Sequence, residues 1–158
     1  MSVFTKPVQL AVGVGIEGFK CGDDVVDGWA EKYSAHARKR GTAVIYASYC
    51  DGMVAGFYTL SAHSVVRSDV AGGWFVRNAP GQVPAVLLGM LGVDERFKGQ
   101  GLGASLLRDA IQNASKVAQL AGAKALIVDP SNDAAASFYA HFGFAPLPGS
   151  TRMALKLE

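Results

Sequence analysis

Apolar positions along this chain change period from segment to segment, and the period names the element. Residues 42–49, TAVIYASY, and 53–65, MVAGFYTLSAHSV, are rich in β-branched and aromatic residues, which suit a pleated, half-buried surface. Asp51-Gly52 lies between them, a pair that favours the positive backbone angles of a tight hairpin. Residues 67–84, RSDVAGGWFVRNAPGQVP, have the Gly, Pro and Asn content of a loop. Residues 85–93, AVLLGMLGV, form an unbroken apolar run, as expected of a central strand buried on both faces.

Helical spacing governs three other segments. CGDDVVDGWAEKYSAHARKRG, residues 21–41, predicts one helix capped by Asp23 or Asp24, with acids early and Arg38, Lys39 and Arg40 late, as the helix dipole favours. Leu102, Leu106, Ala110, Ile111, Ala114, Val117, Ala118 and Ala121 share one face of a longer helix, and Gly122 is a natural stop. PSNDAAASFYAHF, residues 130–142, predicts a helix opened by Pro130 or Ser131 and ended by Gly143. AKALIV, residues 123–128, reads as a second buried strand. TRMALKL, residues 151–157, alternates Met153, Leu155 and Leu157 with Arg152, Ala154 and Lys156, as a half-exposed strand does. One short strand is expected within the first 19 residues. The element order implies a mixed α/β chain of the α+β class, built on one mostly antiparallel sheet with flanking helices.

A length of 158 residues predicts a single domain over 1–158 with one substantial core. Half the residues are hydrophobic and 18% are charged, which excludes a disordered chain. The net charge of +2 neither demands nor forbids a nucleic-acid partner, so any basic surface must be local. Cys21 and Cys50 are far apart and form no C-x-x-C pair, so reduced thiols and no metal site are expected. Neither an apolar run of membrane-spanning length nor a signal-peptide pattern occurs. A soluble, cytoplasmic protein that does not bind membranes is expected.

Residues 97–107, FKGQGLGASLL, place Gly99, Gly101 and Gly103 directly before helical leucines. Glycines there let backbone approach a ligand, and the helix start offers unpaired N–H groups and the positive end of its dipole, a site for phosphate. A Walker loop requires Gly-Lys-Ser/Thr, which is absent. The dinucleotide pattern G-x-G-x-x-[GA] is matched by Gly99, Gly101 and Ala104, but residues 94–98 separate the strand from the first glycine. The nearest strand-end acid, Asp129, also lies too far along to hold a ribose.

LGMLGVDERFKGQGLGASLL resembles the acetyl-CoA-binding motif of the GNAT superfamily of N-acetyltransferases, in which Arg or Gln is followed, after two intervening residues, by Gly-x-Gly/Ala. Here Lys98 holds the first position and Gly101 and Gly103 the small ones. SNDAAASFYAHFGF resembles the family's later motif, and the resemblance covers roughly residues 42–157. It implies a single GNAT fold whose sheet is splayed at the central strand, with acetyl-CoA as cosubstrate. It also implies cofactor contacts at Leu91, Gly92 and Val93 near the thioester, at Lys98, Gly99, Gln100, Gly101, Leu102, Gly103 and Ala104 around the diphosphate, and at Asn132 and Phe138. Tyr139 matches the residue that protonates the departing sulfur, a sensible task for a phenol. Asn132 could instead cap its helix and Phe138 could be a core aromatic. His63 and His141 are alternative bases, each more simply read as structural; His36 and Glu95 read as exposed.

VAGFYTLSAHSV, the glycine-loop region and FYAHFGF are similar, more narrowly, to the GNAT toxins of bacterial toxin–antitoxin pairs. That resemblance implies acetylation of the α-amine of aminoacyl-tRNA, neutralisation by a ribbon-helix-helix antitoxin, and a homodimer. An α-amine titrates near 8, so no strong side-chain base is required. Lys32, Arg38, Lys39, Arg40, Arg67 and Arg77 are the candidate tRNA contacts, or ordinary solvated charges. Two features depart from the pattern: Lys98, and Met90 where such toxins often carry Arg. The alternatives are a GNAT enzyme acetylating a small amine, a peptide N-terminus or a protein lysine, and a GNAT-fold module that binds acetyl-CoA without turnover.

Overall fold

The Asp51-Gly52 turn closes the hairpin that its sequence predicts, with both residues in the left-handed region at φ 50° and 79°. It joins β2 (Val44–Cys50) to β3 (Met53–Val66), paired antiparallel from Val44↔Leu60 to Cys50↔Met53 with an irregularity between Ser48 and Tyr49. The computed structural model describes residues 2–157. β1 (Val8–Gln9), β4 (Gln82–Val93), β5 (Ala125–Val128), β6 (Ala145–Pro146) and β7 (Met153–Lys156) complete a seven-stranded sheet in the order β1-β2-β3-β4-β5-β7-β6. β1 pairs antiparallel with β2, β5 and β6 pair antiparallel with β7, and β4 pairs parallel with β5. Four helices accompany the sheet: α1 (Asp24–Lys32), α2 (Ser34–Arg40), α3 (Leu102–Ala121) and α4 (Asp133–His141).

The chain forms two compact units. One runs up to Ser61 and is joined by Gly89–Ala110. Leu10, Ile16, Phe19, Val26, Ala30, Ile45, Ala47 and Phe57 make its core. Phe19 meets Phe57 edge-on at 4.9 Å, and Trp29 stacks on Phe57 at 6.0 Å. Gly56 lets α3 come close: a Cβ there would lie 2.8 Å from Leu106 Cδ1, 3.0 Å from Leu102 Cδ2 and 3.1 Å from the Gly92 carbonyl. The other unit comprises Ala62–Leu88 and the chain from Ile111 onward. Its core gathers Val65, Val70, Phe75, Val83, Ala125, Ile127, Leu147 and Ala154.

Several expectations need correction. The helix expected over residues 21–41 is two helices, broken at Tyr33 (φ −121°, ψ −18°). The buried Ser34 hydroxyl donates to Ala30 O and accepts from the Ile16 N–H, which anchors the break to the preceding loop. Residues 67–84 are not simply a surface loop: Val70, Phe75 and Val76 are buried, a 3-10 turn forms at Arg67–Asp69, and β4 already begins at Gln82. Those apolar residues follow neither the strand nor the helix period, so periodicity could not find them. β4 is not buried throughout, because Gly89 is exposed and Met90, Leu91 and Val93 are only half-buried. On α3, Leu102, Leu106, Leu107, Ala110 and Ala114 are buried, whereas Val117 and Ala121 are exposed. β7 has β5 on one side and the unanticipated β6 on the other, so Ala154 is buried where alternation places it outside.

Gly56→Ala is expected to destabilise the protein by about 1–3 kcal/mol through overpacking against α3. Gly28→Ala, in α1 with nothing within 4 Å of an added Cβ, is expected to be neutral or to stabilise by up to about 1 kcal/mol. Urea denaturation of the two variants checks this, and equal losses would contradict the close approach of α3 to β3.

Candidate active site

The corner after β4 is fixed by a buried carboxylate. Asp94 is 2% exposed, and its oxygens accept from the Arg96 backbone N–H (3.1 Å), Arg96 Nε (2.9 Å), Arg96 Nη2 (3.2 Å) and the Lys20 N–H (3.3 Å). Burial alone raises a carboxyl pKa, but the Arg96 guanidinium and these N–H donors outweigh it and hold Asp94 below its ordinary value. The Asp94 N–H donates to Ala55 O at 2.8 Å, tying the corner to β3. A 3-10 turn at Glu95–Phe97 follows, with Phe97 buried and the Arg96 guanidinium 5.5 Å from its ring centroid.

The glycine loop leaves this corner in an open conformation. Gly99 and Gly101 are left-handed, at φ 79° and 81°, and a Cβ on either would meet nothing within 4 Å. The first bond of the α3 ladder joins the Ser105 N–H to Gly101 O at 3.2 Å. The amides of Leu102, Gly103 and Ala104 precede that ladder and have no acceptor within the helix. Adjacent amides, a positive helix end and no overhanging side chain fit a diphosphate. Lys98 and Gln100 turn their side chains elsewhere: Lys98 Nζ donates to Cys21 O, and Gln100 Oε1 accepts from the Ser2 N–H at 3.0 Å. Lys98 therefore braces the loop against the segment ahead of α1.

β4 leads into the corner ahead of this loop. Its registered pairs with β5 are Val86↔Leu126 and Leu87↔Ile127, yet β4 continues to Val93. The Met90 N–H donates to the buried Thr59 Oγ1 at 2.9 Å, and a Cβ on Gly89 would lie 3.0 Å from that oxygen. Gly92 sits against Phe19 and Val26, each 3.2 Å from where its Cβ would be. Met90 packs against the first unit's core, so in this chain the position is a packing position.

α4 begins at Asn132, whose side chain caps it by accepting from the Ala135 N–H at 2.8 Å. The capping reading of Asn132 holds, and Pro130 and Ser131 lie outside the helix. Tyr139 is half-buried, with Phe138 and Phe144 each 5.4 Å from its ring. Gly143 (φ 97°) turns the chain so that the Phe144 N–H reaches Tyr139 O at 3.2 Å. Burial pushes the Tyr139 phenol up to about 12, so it keeps its proton at any physiological pH. His36, His141 and Glu95 are exposed.

His63 belongs to a cluster that the sequence did not reveal. Arg152 Nη1 lies 2.9 Å from His63 Nε2, and Arg152 Nε and Nη2 bind both oxygens of Asp129 at 2.8 and 3.1 Å. A guanidinium only donates, so Nε2 accepts and the ring proton sits on Nδ1. Burial, then the Arg152 charge, hold His63 below its ordinary pKa. With its lone pair on Nε2 engaged, His63 is not a free base. Asp129 and Arg152 flank β5 and β7; only the strand register, which sequence spacing leaves open, brings them together.

The basic candidates are all exposed, in two groups. Lys32, Arg38, Lys39 and Arg40 end α1 and α2 in the first unit, whereas Arg67 and Arg77 lie in the second. Among the described residues no cluster of three or more His, Cys, Asp or Glu could hold a metal, and no helix is long and apolar enough to cross a membrane.

Asp94→Asn is expected to cost about 2 kcal/mol at neutral pH, where a charge-assisted set of hydrogen bonds is lost. Because the folded pKa lies below 3.8, the carboxylate's stabilisation is complete above that value and fades as pH falls through the folded pKa. Denaturation curves of the two proteins should therefore converge below about pH 3.8; a gap that persists in acid would contradict this.

Comparison with known proteins agrees with this geometry. The acetyltransferase (GNAT) family model matches residues 26–144. A protein of Mycobacterium tuberculosis named tRNA-acetylating toxin is 35% identical, the match covering 94% of this chain and 89% of the relative. A protein of Sinorhizobium fredii named probable toxin TacT is 30% identical, over 82% of this chain and 77% of its own. Among solved structures, AtaT complexed with acetyl-methionyl-tRNAfMet superposes with a TM-score of 0.84 at 23% identity, covering 98% of this chain and 95% of AtaT. The AtaTR structure bound with AcCoA gives a TM-score of 0.80 at 22% identity, covering 97% and 93%. On the glycine loop and the family match, this chain belongs to the GNAT family of acetyltransferases and uses acetyl-CoA.

Proposed function

We propose that the enzyme transfers acetyl from acetyl-CoA to the α-amine of an aminoacyl-tRNA and so acts as a translation-blocking toxin. The single observation that carries this reading is the 35% identity, over 94% of the chain, to a tRNA-acetylating toxin. Acetyl-CoA supplies the acetyl group as a thioester. The amides of Leu102, Gly103 and Ala104, with Gly99 and Gly101 leaving them open, bind its diphosphate. Backbone N–H groups of Leu91 and Val93, which alternate with the Met90 and Asp94 amides that face β3, donate to the thioester oxygen as charge develops on it, an effect worth about 3 kcal/mol per donor. Tyr139, protonated throughout the physiological range, gives its proton to the departing sulfur. No side chain need deprotonate the acceptor, because an α-amine is substantially neutral near pH 8. Lys32, Arg38, Lys39, Arg40, Arg67 and Arg77 attract the tRNA backbone from two exposed basic groups. The working form is a cytoplasmic homodimer, held inactive by a ribbon-helix-helix antitoxin.

A second reading rests on Met90 and on the net charge of +2. Both suit an acceptor with less phosphate than tRNA, such as a small amine, a peptide N-terminus or a lysine.

Transfer of labelled acetyl to charged and uncharged tRNA tests the two readings. Label is expected in the charged pool alone. Tyr139→Phe should lower kcat by about 100-fold or more, while Gly101→Val, strained at a left-handed position, should raise KM for acetyl-CoA about tenfold with kcat little changed. Absence of label from charged tRNA, with label on a free amine, would sink the toxin reading. A Tyr139→Phe variant of full activity would remove Tyr139 from the chemistry.

A further inference from the structure

α4 carries Tyr139 but contains no fully buried residue. Its aromatic side chains are half-buried, so its placement depends also on how its two ends are held. Val128↔Met153 is the last registered pair of β5 and β7 on this side, and Asp129 and Arg152 are the next residues along each strand. All of residues 130–151, including α4, loops out between them. Arg152 closes the base of that loop with a two-point grip on Asp129, at 2.8 and 3.1 Å. Its third nitrogen reaches His63 on β3, its N–H donates to Ser150 Oγ at 3.1 Å, and its carbonyl accepts from the Leu147 N–H at 2.9 Å. Only Pro130 and Ser131 separate Asp129 from Asn132, the cap of α4.

We infer that Arg152, clasping Asp129 and His63, is a positioning residue that sets the place of α4 and through it the Tyr139 hydroxyl. The inference rests on the proposed role of Tyr139 as proton donor. Its physical basis is that a bidentate guanidinium–carboxylate pair fixes direction as well as distance. The pair is half-open to water, the side chains being 25% and 53% exposed, so it contributes little to overall stability. A displacement of about 1 Å in a reacting group can nonetheless cost about 100-fold in rate. The clasp should accordingly show itself in kcat and barely in folding.

The test is a kinetic cycle on four proteins, namely wild type, Arg152→Gln, Tyr139→Phe and the double variant, with thiol release from acetyl-CoA measured using charged tRNA as acceptor. Arg152→Gln should lower kcat by about tenfold or more, leave KM for acetyl-CoA within about twofold, and shift the melting midpoint by less than about 5 °C. In the Tyr139→Phe background the same change should cost less than about twofold, because the group it positions is already gone. Asp129→Asn, which keeps the shape of the site, should reproduce the single-variant loss if Arg152→Gln folds poorly. An equal fold-loss in both backgrounds, or undiminished kcat in both clasp variants, overturns the clasp. Full activity of Tyr139→Phe overturns instead the proton-donor reading beneath it.

Discussion

The buried carboxylate of Asp94 is the constraint on which the rest of the glycine-loop corner depends. A charged group with almost no exposure persists in a fold only if its lone pairs are filled, and here Arg96 and the Lys20 N–H fill them. That requirement brings three stretches of chain to one point: β4, the segment ahead of α1, and, through the Asp94 N–H, β3. The glycine loop can then start α3 in one direction only. Lys98 adds a second brace to the same segment through Cys21 O. Gly56 removes the side chain that would hold α3 away from β3.

Chemistry is then assembled where regular structure gives out. β4 outruns its registered pairs with β5, and on its β3 side the Met90 N–H goes to the Thr59 hydroxyl instead of a backbone carbonyl. α3 offers amides ahead of its first internal bond, and α4 presents Tyr139 from a helix with no buried residue. Each is a local exception to full hydrogen bonding or full packing. The Tyr139 environment follows the same logic. Its aromatic neighbours withdraw the phenol from water and raise its pKa, which keeps the phenol protonated without any charged partner.

Much of this was legible in the residues. Gly99, Gly101 and the leucines that follow announced both the loop and α3, because glycine density and helical spacing are local signals. Asp51-Gly52 marked the hairpin, the Asp23-Asp24 pair the start of α1 and Gly122 the end of α3 for the same reason. What escaped depended on contacts distant in sequence. Ser34 breaks the first helix by reaching the Ile16 N–H, and nothing in the periodicity of residues 21–41 signals that bond. Phe75 and Val76 lie in a stretch with loop composition but are buried in the second core. Asp129, Arg152 and His63 are 23 and 89 residues apart in their pairings. Their meeting follows from sheet order, which composition does not encode. His63 consequently read as a possible base, whereas its lone pair belongs to Arg152.

The most direct test of the account is to find the atom that receives the acetyl group. Charged tRNA would be treated with enzyme and acetyl-CoA, digested with nuclease, and the terminal adenosine fragment analysed by mass spectrometry. The account predicts acetyl on the α-nitrogen of the amino acid still esterified to adenosine, and none on the same fragment from uncharged tRNA. Acetyl on a nucleobase, or an unmodified terminal fragment while acetyl-CoA is consumed, would contradict it.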